Sequence, residues 1–539
     1  MREISMMWRH VPVAAMVLLA AGCGGGGQGN VTGVGSNNGG GSTIWQSGIY
    51  QPSSNFEARC ASPRSGVDPF TKERYPDVTG TMTDQNNWLR SWTNELYLWY
   101  SEVPDLNPAL YTTDAYFERL KTSALTASGA AKDKFHFTYA TTDWEALSQG
   151  GVEVSYGLQW ALLASTPPRR AVIAYVEPSP PSATVAAGVA RGAEVLEVDG
   201  VDVVNTSSSA GVDTLNAGLF PDTANETHTF TIKDVGSTTP RTITLTSANF
   251  STVPVQNVRT LPTGTGPVGY ILFNDHIATA EGALVTAITT LRDASVTDLV
   301  LDIRYNGGGF LDIANELAYM IAGPTATAGQ TFEQLKFNDK HPTTDPVTGE
   351  ALLPTQFHNT TQGFTQGLAK GQALPTLSLP RVFVLTGSNT CSASESIINS
   401  LRGVNVEVIQ IGSTTCGKPY GFYPFDNCGT TYFSIQFRGV NAKGFGDYTD
   451  GFSPINTVGG AGEPQSRPPG CSVADDFTHD LGDVAEGRLS AALSYRDLGS
   501  CAGPPTGTVK AMSVESQQRF LQDAVVPKSP WRENRILRQ

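Results

Sequence analysis

Charge is scarce in this chain. Asp, Glu, Lys and Arg supply 16% of its 539 residues, where a soluble domain usually carries about a quarter. Ser, Thr, Gly and Asn take their place, a surface chemistry that suits a protein working outside the cytoplasm. The formal net charge is -14, and Lys and Arg gather into no cluster. Binding a nucleic-acid backbone needs a basic face, so that function class is excluded. No CxxC pair and no Cys/His group has zinc spacing. Neither a structural metal nor an organic cofactor is implied. No internal repeat stands out. The apolar run at residues 11–21 is too short to span a bilayer as a mature helix.

What is present begins with a targeting segment. Arg2 and Arg9 make a basic start, and the apolar run ends in Ala20-Ala21-Gly22-Cys23. This resembles a bacterial lipobox, in which the cysteine is lipidated and becomes the first mature residue. Ala20 stands where Leu is commoner. The alternative is an ordinary cleaved signal beside a chance cysteine. Four glycines come next, Gly24 to Gly27, and a flexible tether after an anchor favours the lipobox. The resemblance implies a membrane anchor through Cys23 in a bacterial envelope, facing the periplasm. Gly24 is not the Asp associated with inner-membrane retention, which points to the outer membrane. Six further cysteines remain: Cys60, Cys391, Cys416, Cys428, Cys471 and Cys501. An oxidising compartment predicts disulfides among them. Six allow 15 pairings, and the sequence does not choose.

The length exceeds one core and predicts two to four domains. Trp88, Leu89, Trp92, Leu96 and Trp99 recur at helical steps and read as a core stripe, with Thr83 as a cap and a second helix over residues 113–123. Between residues 150 and 250 the pattern changes to short strands and turns. Strands are predicted at 171–176, 193–198, 229–233 and 242–246, with a short helix at 183–187 stopped by Gly188. Beyond residue 253 strands and helices alternate. Strands at 268–273, 299–303, 381–385 and 406–411 and helices at 311–321 and 393–401 predict an α/β core with a mostly parallel sheet. Leu284, Ala287, Ile288 and Leu291 mark the buried face of another helix. Sites in such sheets gather where strands end and helices begin.

Three segments fall at such points. Residues 386–395 read Thr-Gly-Ser-Asn-Thr-Cys-Ser-Ala-Ser-Glu and lead from a strand into a helix. Ser392 there is either an exposed nucleophile on a tight turn or a plain N-cap, since Ser392 with Glu395 is a capping box. Residues 304–310 read Arg-Tyr-Asn-Gly-Gly-Gly-Phe. Glycines allow close backbone approach and aim amides at developing negative charge, or simply make a flexible turn. No Lys-Ser/Thr comes after them, which disfavours a phosphate loop. Residues 416–421 read Cys-Gly-Lys-Pro-Tyr-Gly, with Phe422, Tyr423 and Phe425 nearby. Lys418 is either a surface turn lysine or a desolvated base, since burial disfavours an ammonium and a neutral amine can accept a serine proton.

In this order the three segments resemble the C-terminal processing peptidases, also called tail-specific proteases. The resemblance covers most of residues 150–460. It implies that Ser392 is the nucleophile and Lys418 the general base. It implies oxyanion donors at the Ala393 amide and at Gly309 or Gly308. It makes residues 150–252 similar to a PDZ domain, with Tyr156, Gly157, Leu158 and Gln159 as the carboxylate-binding loop and residues 191–200 as its central strand and turn. A PDZ groove captures chain ends by strand addition, so protein or peptide substrates would arrive by their C-terminal tails. Two departures stand out. Phe422 occupies the place of the Gln that often orients the lysine, and the Ser-to-Lys spacing is one residue longer than the commonest. Related peptidases use an upstream histidine. His136, between Phe135 and Phe137, is the residue in that place, and it also reads as a packed core histidine. His479 is a weaker candidate for the same role. Asp302 and Arg304 fit the family pattern and read equally as structural.

The domain reading is therefore a lipoprotein signal at 1–22, a disordered Gly-rich tether at 23–50, a helical region at 51–149, a PDZ domain at 150–252, a serine peptidase α/β core at 253–500 and a partly disordered tail at 501–539. Two rivals share some of these features: a peptidase-like binding protein without turnover, and a membrane-tethered PDZ scaffold.

Overall fold

A computed structural model describes residues 45–507, apart from 70, 151 and 461, together with residues 535 and 536. Cys23, the signal segment and most of the tether lie outside the described residues. The chain divides into residues 1–45 and residues 46–539, and the second unit holds all the described sheets and helices.

Its centre is a six-stranded sheet. The strands run in the order Val255–Leu261, Val268–Phe273, Asp298–Asp302, Arg381–Thr386, Glu407–Gly412, Gly470–Ser472. The first pair is antiparallel and the others are parallel. Val268–Phe273 and Asp298–Asp302 are buried at every position, which is why Val268–Phe273 and residues 299–301 read as continuous apolar runs rather than alternating ones. The helices Ala280–Asp293, Leu311–Thr327 and Ala393–Gly403 cover one face. The helix Gly487–Leu498 covers the other, beside Ala161, Val172 and Tyr175 from a second sheet. Leu284, Ala287, Ile288 and Leu291 form the buried stripe that their spacing predicts. The predicted helix at 311–321 extends to Thr327 because the chain turns through Gly323, at φ 75°, and resumes at Pro324.

Residues 150–252 form the second sheet, ordered Arg241–Thr246, Thr227–Lys233, Glu194–Val198, Arg170–Val176, Leu158–Ala164. The short helix Ser182–Ala187 stops at left-handed Gly188, as predicted. A longer helix, Ser209–Leu219, packs on this sheet.

Residues 51–149 are less helical than their sequence predicts. The aromatic stripe does form the helix Met82–Leu96, but its cap is Thr81 in a capping box with Asp84, not Thr83. The second helix ends at Phe117. The strand Phe137–Ala140 pairs with Thr430–Phe433, and Trp88 and Trp92 pack on Tyr432. This region is therefore stitched to the chain beyond Lys418. Local periodicity does not report such a pairing, because its partner lies almost 300 residues away.

Three disulfides resolve the six cysteines: Cys60–Cys428, Cys391–Cys416 and Cys471–Cys501. The tail is not structureless throughout. Cys501 is bonded, and Arg535–Ile536 pairs in parallel with Gly309–Phe310. Among the described residues no helix is long and apolar enough to cross a membrane.

Candidate active site

Three neighbouring parallel strands end on the same side of the central sheet. Asp298–Asp302 leads into the glycine turn, Arg381–Thr386 into residues 387–392, and Glu407–Gly412 into the turn carrying Lys418. Parallel order alone thus gathers segments that lie far apart in sequence.

Ser392 stands at the N-terminus of the helix Ala393–Gly403 with φ 58° and ψ -113°. A non-glycine residue in such backbone costs on the order of 1–3 kcal/mol and persists only where its surroundings impose it. They do so here through hydrogen bonds. The Cys391 amide donates to Asn306 O at 3.1 Å, and the Thr390 hydroxyl donates to Ile303 O at 2.8 Å. Ser392 is fully buried and its Oγ makes no hydrogen bond. Glu395 accepts the Ser392 amide at 3.0 Å, the capping-box contact that the spacing predicts.

Glu395 does more than cap. Its Oε2 also accepts the Lys418 amide at 2.8 Å, and its Oε1 accepts the Gly417 amide at 2.9 Å and the Thr415 hydroxyl at 2.5 Å. Burial pushes its carboxyl above the usual range, against the pull of these donors. Gly417, at φ 81°, passes so close to Thr449 O that a Cβ would lie 2.1 Å from that oxygen. Lys418 is fully buried. Its Nζ lies 4.3 Å from the Phe135 ring centre and 4.9 Å from that of Phe422. The Phe at the usual glutamine position therefore touches the lysine with a ring face.

The two glycine candidates differ. The Gly308 amide donates to Asn306 Oδ1 at 3.0 Å, so it is already engaged. Gly309, at φ 132°, approaches His276 O so closely that a Cβ would sit 2.5 Å away. The Ala393 amide is the first of its helix, where no intrahelical acceptor exists. Arg535–Ile536 lies along Gly309–Phe310 and against Tyr420–Gly421, so an extended segment fits between the glycine turn and the strand after Lys418.

Asp302 and Arg304 form a foundation beneath the turn. Arg304 is fully buried and bonds Asp302, Asp475 and both oxygens of Glu486. Burial would raise the Asp475 carboxyl, but Arg488, Arg191 and Arg304 hold it far below the usual range.

The structure sets His136 apart. Its Nε2 lies 2.9 Å from Phe117 O, and its ring stacks on Phe117 and abuts Tyr97. Burial lowers its pKa. None of these contacts is with Ser392 or Lys418. His479 pairs with Asp476 at 2.7 Å. The loop Tyr156, Gly157, Leu158 and Gln159 is closed on itself. The Tyr156 hydroxyl donates to Gly218 O, the Gly157 amide to Ser155 Oγ, and the Glu177 amide to Gly157 O. Leu158 and Gln159 already pair with Val176 and Tyr175. Sequence reading passed over His276, whose Nδ1 lies 3.0 Å from Asn306 Oδ1 and whose backbone bonds Gly308 and Phe310. The signal was present, since His276 comes after a core strand as the three segments do.

Comparison with known proteins agrees with this geometry. Residues 267–424 match peptidase family S41. A carboxyl-terminal-processing protease of Picosynechococcus sp. is 25% identical over 247 residues, covering 46% of this chain and 51% of that protein. The chloroplastic carboxyl-terminal-processing peptidase 1 of Arabidopsis thaliana is 27% identical over 245 residues, covering 44% and 42%. The chain thus spans about half or less of these relatives' length. A crystal structure from Bacteroides fragilis, assigned to the S41 proteases, superimposes with a TM-score of 0.55 at 23% identity, covering 79% of this chain and 98% of that one. The matched segment, residues 267–424, is similar to peptidase family S41 and holds the glycine turn, Ser392 and Lys418.

Proposed function

We propose that this chain is an exported, lipid-anchored serine endopeptidase in which Ser392 is the nucleophile and Lys418 the general base. The observation that carries this reading is the shared carboxylate. Glu395 fastens the amides of both residues, beside a buried serine hydroxyl without a partner.

Ser392 Oγ attacks the scissile carbonyl carbon while the neutral Lys418 amine takes its proton. The amine must reach Oγ for this, a contact that substrate binding completes. The amides of Ala393 and Gly309 receive the oxyanion. Collapse expels the new amine end, which takes the proton back from Lys418 and leaves an ester on Ser392. Water then attacks the ester with Lys418 again as base, which frees the carboxylate product. The substrate lies extended along Gly309–Phe310, in the place taken by Arg535–Ile536. The sheet of residues 150–252 serves as a PDZ-like module delivering the C-terminal tails of proteins. Among the described strands, its edge strand Leu158–Ala164 pairs on one side only, which suits strand addition there. Cys23 carries the lipid.

The test uses the full chain and an unstructured protein substrate. Wild type should hydrolyse the substrate and take up a fluorophosphonate on Ser392, and Ser392→Ala should do neither while keeping its melting temperature. Peptide binding without hydrolysis or labelling would favour the non-catalytic reading. Mass spectrometry of the mature N-terminus checks the anchor, and an unmodified terminus elsewhere would refute it.

A further inference from the structure

We infer that the Cys391–Cys416 disulfide is a positioning element for catalysis: it holds the Ser392 turn against the Lys418 turn, and turnover depends on its being closed. The inference rests on the proposed Ser392/Lys418 pair. Cys391 immediately precedes Ser392, and Cys416 stands two residues before Lys418. The bond joins the loops after two neighbouring parallel strands, across a sequence separation of 25. Both cysteines are buried.

The surroundings explain why a covalent tie matters here. Ser392 holds a backbone conformation unfavourable for a side-chain-bearing residue, and its hydroxyl has no partner to steady it. Only the backbone therefore keeps Oγ in place. On one side, Cys391 is bonded through its amide to the glycine turn at Asn306 O. On the other, the Cys416 amide donates to Thr390 O. The disulfide runs alongside that bond and closes the same junction. Cys416 Sγ also lies 3.6 Å from Glu395 Oε2, the oxygen that receives the Ser392 and Lys418 amides. Opening the bridge places two thiols against that buried carboxylate and loosens both turns at once. The other two bridges serve elsewhere. Cys60–Cys428 ties an N-terminal segment to a hairpin, and Cys471–Cys501 ties the edge of the core sheet to the chain after its last described helix.

A dithiol such as dithiothreitol opens the bond by exchange. One thiolate attacks a cysteine sulfur and the S–S bond breaks. The second thiol then closes the reagent into its cyclic disulfide, which leaves two protein thiols. The reagent is oxidised and the protein reduced by two electrons.

The experiment compares wild type, Cys391→Ala/Cys416→Ala and Cys60→Ala/Cys428→Ala, all as full chains below their melting temperatures. The first double variant should lose kcat about 100-fold with KM within about threefold, and its rate of fluorophosphonate labelling at Ser392 should fall in step. The Cys60/Cys428 variant should keep kcat. Should the first variant fail to fold, graded reduction of native wild type replaces it, with the open bridge identified by mass spectrometry. Activity should then fall as Cys391–Cys416 opens and return on reoxidation. Wild-type kcat with that bridge open or absent would overturn the inference. Wild type that neither turns over nor labels would instead overturn the peptidase reading itself.

Discussion

Glu395 Oε2 receives the Lys418 amide at 2.8 Å, and the same oxygen receives the Ser392 amide at 3.0 Å. One carboxylate on the first turn of the helix after Ser392 thus sets the distance between two chain segments. A carboxylate suits the place because it only accepts, and these neighbours donate.

Glu395→Gln turns part of that acceptor into a donor facing amide hydrogens. Removing one side of a buried charged network costs about 2–4 kcal/mol. The expected result is a lower melting temperature and a kcat reduced at least tenfold. Calorimetry and steady-state kinetics check it, and unchanged kcat would show that the two turns hold themselves.

The lysine and histidine alternatives separate by pH. With Lys418 as base, the rate tracks the fraction of neutral amine and rises with pH. Lys418→Ala should then cost nearly as much as Ser392→Ala, because members of one unit are not additive. His136→Ala should cost far less, through lost packing on Phe117. A pH–rate profile governed by a group near 6.5, absent in His136→Ala and kept in Lys418→Ala, would reverse the assignment.

Phe422 sets a ring face 4.9 Å from Lys418 Nζ. Phe422→Leu keeps an apolar filler and removes the ring, so kcat should fall about tenfold with KM little changed. Phe433→Leu is the control, since Phe433 packs against Phe422 in the same aromatic cluster. An equal loss of kcat in that variant would show that packing alone is responsible.

Glu316 is pushed up to about 9, first by burial and then by the Glu281 carboxylate beside it. Glu281 accepts the amides of residues 362–365 and Glu316 also accepts the Gln362 amide, so the two carboxyls pin a loop to two helices. The raised group favours folding fully below about pH 4.5, its ordinary value, and that contribution is lost as pH rises toward 9. Glu316→Gln mimics the protonated acid. Between about pH 5 and pH 9 wild type should lose about 5 °C more in melting temperature than this variant. Parallel melting curves for the two would place the proton elsewhere.

The sequence by itself determined the elements and the chemistry they carry. The apolar run at 268–273 and the strand pattern at 381–385 announced a mostly parallel sheet, and the glycine turn, Ser392 and Lys418 each came after a strand, because strand ends and helix starts have local signatures. It also announced disulfides without pairing them. Only the tertiary structure decided that Cys391 meets Cys416, that Glu395 spans both turns, that Asn306 engages the Gly308 amide, and that His136 turns to Phe117. It likewise joined residues 137–140 to the strand at 430–433. These are contacts between distant segments, and no local periodicity encodes them. They arise from the order of parallel strands in one sheet, which brings three turns to one edge and then lets a single buried carboxylate and a single disulfide fasten them.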